Sequence, residues 1–353
     1  MANLSPIQSS CRTSVRSRIV TTYSIILTAT ALVWIWAFYA FHAYPLLLGT
    51  ALLAYTFGLR HAVDADHIAA IDNVTRKLMQ EGKLPVNVGF FFSLGHSLVV
   101  ILASAAVAAT AGAFTDKLDF LTSFGGIIGT SVSSGFLLII ALLNITIFCQ
   151  TYQTFQRVKK TRVYSEQDLN QMMAKRGFFS RIFRPLFGMI GSSWQMFPIG
   201  FLFGLGFDTS TEVAVLGISA AQATKGISIW SIMVFPALFT AGMTLVDTTD
   251  GALMLGAYQW AFITPIRKLY YNMTITAVSV IVALGIGGIE ALGLLGDQFA
   301  LKGDFWGLID KLNDNFTTIG FVIIGVFLGA WLFSVLIYRL MRYDDIQIKT
   351  GTT

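Results

Sequence analysis

Apolar residues in this chain run on in stretches of twenty or more, interrupted by short, dense clusters of charge. A helix rising about 1.5 Å per residue needs about 20 mostly apolar residues to cross the hydrocarbon of a bilayer. Such stretches lie near 21–42, 46–72, 87–112, 124–149, 196–221, 228–262, 269–292 and 316–340, and they predict eight spans. The first is too long for the apolar segment of a secretory signal and has no small-residue cleavage site, so it reads as a retained span. The expected fold class is all-α, a polytopic membrane protein in which residues 1–353 form one transmembrane domain.

Composition agrees with the pattern. The chain is 55% apolar and only 12% charged, against roughly 25% charged in soluble domains. Its mean hydropathy is +0.68. Secreted disulfide scaffolds, soluble enzymes and nucleic-acid binders are excluded together. The two cysteines, Cys11 and Cys149, are far apart and imply neither a disulfide framework nor a zinc knuckle.

Charge then orients the spans. Of the 24 lysines and arginines, all but Arg60, Lys117, Lys225, Lys302 and Lys311 fall on one side of the predicted membrane. The positive-inside rule makes that side, and both termini, cytoplasmic, and an even span count requires the same. The basic connection at 150–195 is then a cytoplasmic loop. Within it Ser165 and Asp168 resemble a helix start, and Phe178, Phe179, Ile182, Phe183, Leu186 and Phe187 with Arg181 and Arg184 read as a basic amphipathic segment on the inner leaflet. The stretch 296–315 is mildly acidic and reads as a solvated outer loop.

Charge inside the bilayer is costly and usually marks a pathway or site. Here it is concentrated in four motifs. Span 2 carries Arg60, His61, Asp64, Asp66 and His67; span 3 carries His96; span 5 carries Asp208 and Glu212; span 6 carries Asp247 and Asp250. The lining is acidic and contains three of the four histidines, with Arg60 reading as a counter-ion to one of the aspartates. Imidazole with carboxylate suits a divalent transition metal, whereas carboxylates alone suit magnesium or calcium. His61, Asp64 and His67 share a ~120° arc of a helix, but the two histidines stand ~9 Å apart along its axis. One ion does not take both from a regular helix. Either the helix is distorted here, or these residues serve successive sites or inner and outer coordination shells, the aspartates holding the second ring nitrogens. Span 6 is long enough to be kinked, with Asp250-Gly251 a candidate break.

A faint repeat runs through the same motifs. Gly58-Leu59 before Asp64 resembles Gly204-Leu205 before Asp208, and Phe92-Ser93-x-Gly95 resembles Phe239-Thr240-x-Gly242. An offset of three spans makes the halves spans 2–3 and 5–6 inverted relative to each other, an arrangement common in secondary transporters.

Taken together, the four motifs resemble the nickel/cobalt transporter family of bacterial inner-membrane permeases. The signature is the His-x4-Asp-His core at His61, Asp66 and His67, joined by Leu94-Gly95-His96-Ser97, by Leu205 through Glu212, and by Gly242-Met243 through Asp247, Asp250 and Gly251. The resemblance covers the whole chain. It implies uptake of Ni(II), with Co(II) possible, by a permease that needs no ATPase subunit and no cofactor, the metal being cargo. It assigns metal handling to His61, Asp66 and His67, with the other motif residues completing the pathway. No phosphate-binding G-x-x-x-x-G-K-[ST] loop occurs in the chain. A metal exporter and a proton-coupled carrier remain as alternatives. An intramembrane metalloenzyme lacks its His-Glu-x-x-His motif.

Overall fold

Long apolar runs become long helices. The computed structural model describes residues 6–110, 115–161, 163–164, 190–206, 209–261, 265–340 and 349–350. In chain order the helices are α1 (Pro6–Phe41), α2 (Pro45–His61), α3 (Ala65–Gln80), α4 (Val88–Thr110), α5 (Thr115–Thr161), α6 (Met196–Gly204) and α7 (Ser210–Thr224). They continue as α8 (Ile229–Ile232), α9 (Val234–Ala261), α10 (Pro265–Gln298), α11 (Asp304–Asn313) and α12 (Phe316–Leu340). A two-residue parallel pairing joins Val163–Tyr164 to Lys349–Thr350. Ser165, Asp168 and the basic amphipathic segment lie outside the described residues.

Six helices among the described residues are long and apolar enough to cross a membrane, and α2 with α3, bent by 52°, is a seventh candidate if the pair counts as one span. The remaining stretch expected to span, 196–221, is divided between α6 and α7, neither long enough alone, and residues 207–208 between them lie outside the described residues. Large apolar side chains on α1 and α12, such as Leu32, Ile35, Phe321 and Leu332, face outward uncovered. A water-soluble protein rarely leaves so continuous an apolar surface, and a lipid-facing helix requires one.

The helices that carry the polar motifs cross at glycines. A Cβ on Gly58 of α2 would strike the Phe239 carbonyl of α9, and one on Gly242 of α9 would strike the backbone of Tyr55 and Leu59. The same pattern recurs between α6 and α4. Gly200 meets the Phe92 carbonyl, and Gly95 meets the backbone of Phe197 and Phe201. Without side chains at these four positions the backbones come into contact, a device typical of helix pairs in membranes. The contacts pair Gly58 with Gly200, one helical turn from the Gly204 that sequence matching suggested.

Two helices are interrupted, and both interruptions are at motifs. Residues 62–64 leave helical geometry between α2 and α3, with Asp64 extended (φ −64°, ψ 146°) as the N-cap of α3. Thr209, also extended (φ −106°, ψ 141°), is the N-cap of α7. Asp and Thr are favoured caps because their side chains can accept from the first turn's free N–H groups. Here neither side chain does so, which leaves both free for other partners. Span 6 is continuous from Ile229 to Ala257, α8 passing into α9 through a helical Met233, and α9 runs unbroken through Asp250 and Gly251, where the sequence offered a break.

A core of Ile68, Ile71, Phe92, Leu137, Met196 and Phe203 holds α3, α4, α5 and α6 together. The charges in the second half of α3 are not solvent-facing. Asp72, Arg76 and Lys77 are buried. Asp72 accepts from Ser279 (2.6 Å), and Arg76 donates to Thr276 (3.1 Å) and Asn73 (3.0 Å). Asn144 also donates to Asn73 (2.6 Å), and Lys77 donates to the Ile190 carbonyl (2.6 Å). Glu290, read as an outer charge, is buried too and accepts from Ser133 at 2.9–3.0 Å. Hydropathy alone could not reveal these partners, because they come from helices distant in the sequence.

Candidate metal centre

The break in span 2 resolves the problem that a regular helix posed. With the chain turning by 52° at residues 62–64, the His61 and His67 rings lie 4.7 Å apart, centroid to centroid. His96 comes in from α4 at 4.8 Å from each of them. One ring nitrogen from each of the three histidines lies within 4.8 Å of the others, and all three residues are buried. Glu212, the third residue of α7, is fully buried, with its carboxylate 2.8 Å from His96 Nε2 and 3.9 Å from His61 Nε2.

Surrounding groups hold the rings. His61 Nδ1 is 3.2 Å from Asp64 Oδ2 and within 3.1 and 3.3 Å of the Thr209 and Thr211 hydroxyls. His67 Nδ1 is 3.3 Å from Asp247 Oδ1. A carboxylate beside Nδ1 accepts that nitrogen's proton and leaves Nε2 of the neutral ring with an open lone pair. His67 Nε2 is buried without a hydrogen-bond partner, and His61 Nε2 faces His96 Nε2 at 3.0 Å. The faces are braced as well: Phe92 stands edge-on to His67 (4.8 Å, 90°), and Phe239 lies beside His61 (5.5 Å). The two phenylalanines are those whose carbonyls meet Gly200 and Gly58, so the glycine crossings and the histidine positions are set by the same residues.

The spacing of these nitrogens matches that of ligands around one metal ion. Two neighbouring nitrogens bound to one metal at about 2.1 Å stand roughly 3.0 Å apart at a right angle, the His61–His96 separation. Opposed nitrogens stand about 4.2 Å apart. An inward shift of less than about 1 Å would therefore bring all three imidazoles onto one ion. Three imidazoles and a carboxylate are a donor set for nickel, cobalt, copper or zinc and a poor one for magnesium or calcium.

Not every motif residue joins the cluster. Asp66 is half-buried in the first turn of α3, outside the three-histidine group that the resemblance would have it share. Asp64 touches His61 instead. Asp250 lies one turn beyond Asp247 on α9, half-buried, with Oδ2 lacking a partner. Asp208 lies outside the described residues. Arg60 is exposed and pairs with none of Asp64, Asp66, Asp247 and Asp250 among the described residues. Thr209, Thr211 and Thr317, whose hydroxyl donates to Asp64 Oδ1, were missed because threonine is common in membrane helices. The only available signal was that two of them closely precede Glu212.

Residues 47–337 match the family model described as NicO, high-affinity nickel-transport protein. The chain belongs to the NicO family. Within the family it is 55% identical to the "High-affinity nickel transport protein" of Cupriavidus necator, over 95% of each chain. It is 45% identical to the "Nickel transporter NixA" of Staphylococcus aureus, over 85% of this chain and 88% of that one. The "Cobalt transport protein NhlF" of Rhodococcus rhodochrous is 37% identical, over 83% and 84%. No solved structure matches this NicO chain.

Proposed function

We propose that this chain is a single-component secondary permease that takes up Ni(II), with Co(II) as a second cargo, across a bacterial cytoplasmic membrane. Relatives named for nickel and for cobalt transport support the cargo. The observation that carries the reading is the buried three-histidine cluster made possible by the broken span 2. His61, His67, His96 and Glu212 bind the ion, while Asp64 and Asp247 fix the rings of His61 and His67. Asp66, Asp208 and Asp250 line the path beside this cage. Neither a cofactor nor an ATPase subunit enters the scheme.

In this reading α6 and α7 together form an eighth span, both termini are cytoplasmic, and the 150–195 connection lies on the inner side. Spans 2–3 and 5–6 are inverted repeats. Exchanging span 2 with span 5 and span 3 with span 6 carries the Gly58–Phe239 contact onto Gly200–Phe92, and Gly242 over Tyr55 and Leu59 onto Gly95 over Phe197 and Phe201. It also carries His67, third residue of α3, onto Glu212, third residue of α7. Interrupted helices at the interface of inverted repeats are where secondary transporters commonly bind their substrates.

A hydrated ion sheds water at the mouth, exchanges it for imidazole and carboxylate, and is released inward when the two pairs of spans move relative to each other. The membrane potential contributes about 2.3 kcal/mol per charge per 100 mV, and about twice that for a divalent ion. Uptake of radiolabelled nickel by cells expressing the wild type and His67→Ala tests the proposal. Accumulation in the wild type and its loss in the variant support it. Undiminished uptake by the variant removes the site, and metal loss from wild-type cells reverses the direction.

A further inference from the structure

The histidine cluster has an open approach on one side. A cavity of about 480 Å³ reaches down to Asp64, Thr209 and Thr211, the three residues that contact His61 Nδ1. Its upper wall carries Glu290 and Asp297 of α10 and Asp314, which follows α11. Arg60 is the one cationic side chain in the lining among the described residues. Asp64 belongs to both spaces, with Oδ2 at His61 and Oδ1 held by Thr317 of α12. At about 30 Å³ per water, an ion with six waters occupies about 180 Å³, so the cavity admits it without dehydration. On the opposite side, α3, α5 and α10 are closed by the Asp72–Ser279, Arg76–Thr276 and Asn73–Asn144 contacts.

We infer that this cavity is the outward vestibule of the transporter: hydrated divalent cations collect in it, and Asp64 hands them to the histidines. The inference rests on the proposed uptake function and topology, which place the ends of α10 and α11 on the outer face. Four carboxylates against one guanidinium attract a divalent cation and repel anions. A charged cleft of this kind raises the local ion concentration and the capture rate by about 10- to 1000-fold, an effect that salt screens. Asp297 and Asp314 act at a distance, without binding the ion directly. Both are exposed and lie far from the histidine cage in sequence and in contacts, so replacing them leaves the ligand set intact. Arg60 opposes them and lowers the attraction.

Nickel uptake kinetics in whole cells test this, because charge acts on KM with a sign. The Asp297→Asn/Asp314→Asn pair is expected to raise KM for nickel about 10-fold at low ionic strength, with unchanged maximal rate. The increase should shrink in 0.3 M salt, about 5 Å of screening length. Arg60→Gln should lower KM. Equal KM values in all three proteins, or changes of the same sign, would overturn the inference. So would a fall in maximal rate alone. Access is checked with Thr130→Cys, a lining position, in a background where Cys11 and Cys149 are serine. A membrane-impermeant cationic thiol reagent added outside should label it and block uptake; absence of labelling from outside contradicts the vestibule. Failure of the metal centre is a separate result. It would appear as transport surviving His67→Ala while the opposite signs of the charge variants persist.

Discussion

His67 and Asp72 stand five residues apart on α3, both fully buried, yet their surroundings are built in different ways. Around Asp72 the observed contacts match donors to acceptors: serine to carboxylate, guanidinium to hydroxyl, one amide to another. That is how polar side chains become tolerable inside a membrane bundle, and such contacts hold helices together. Around His67 the pairing fails. The His61 and His96 Nε2 atoms face each other, His67 Nε2 has no partner, and Asp64 and Asp247 are spent on the back of the His61 and His67 rings, leaving Glu212 as the carboxylate on the Nε2 side. A cluster whose groups are largely paired with one another, with only Arg76 Nε and the adjacent Thr75 hydroxyl left over, serves structure. A cluster whose imidazole nitrogens and carboxylate converge within metal-ligand reach of one another suits a cation.

The largest effect should come from breaking the second kind of cluster. Loss of a group that merely orients a metal ligand costs about 10- to 100-fold in affinity, so loss of a ligand itself should exceed about 100-fold. His61→Ala, His67→Ala and Glu212→Ala should each reduce nickel uptake at sub-saturating metal by more than that factor, measured with radiolabelled nickel. Asp247→Asn keeps a hydrogen-bonding group beside His67 Nδ1 but removes its charge, and should raise KM by about 10- to 100-fold. An Asp247→Asn effect as large as that of His67→Ala would make Asp247 a direct ligand.

The largely paired cluster should respond in the opposite way. Asn144→Ala removes one of the two donors to the Asn73 side-chain oxygen, the other being Arg76, and should cost about 0.5–1.5 kcal/mol of stability, read from unfolding of the detergent-solubilised protein. Its nickel KM should stay within about twofold of wild type, since no distance in the metal centre depends on Asn144. Gly200→Ala should cost about 1–3 kcal/mol from overpacking against the Phe92 carbonyl, and should also weaken uptake because Phe92 braces His67. The mildest effect is that of pH. Neutral imidazole binds metal and imidazolium does not, so protons compete with nickel and KM should rise a few-fold as external pH falls below neutrality.

Much of this difference was legible in the sequence, and the missing part has a physical cause. Span positions follow from apolar run length, and the polar residues of the metal centre stand out because nothing else explains charge in a bilayer. A regular helix placed His61 and His67 about 9 Å apart, and only a break could unite them. That break needs Asp64 in extended geometry with its side chain diverted to His61 and Thr317, a partner some 250 residues away that no local pattern encodes. Asp72, Arg76 and Lys77 looked like cytoplasmic charge for the same reason: Ser279, Thr276 and the Ile190 carbonyl come from remote parts of the chain. Span 5 looked continuous by composition, yet the structure divides it at a motif, as it does span 2.

X-ray absorption at the nickel edge of the metal-loaded, purified protein tests most directly whether the open cluster is the binding site. Imidazole rings give a distinctive multiple-scattering pattern that can be counted. The wild type should show three imidazoles and at least one oxygen donor at about 2.1 Å, falling to two imidazoles in His67→Ala and remaining at three in Asn144→Ala. An all-oxygen shell, or an imidazole count unchanged by His67→Ala, would contradict it.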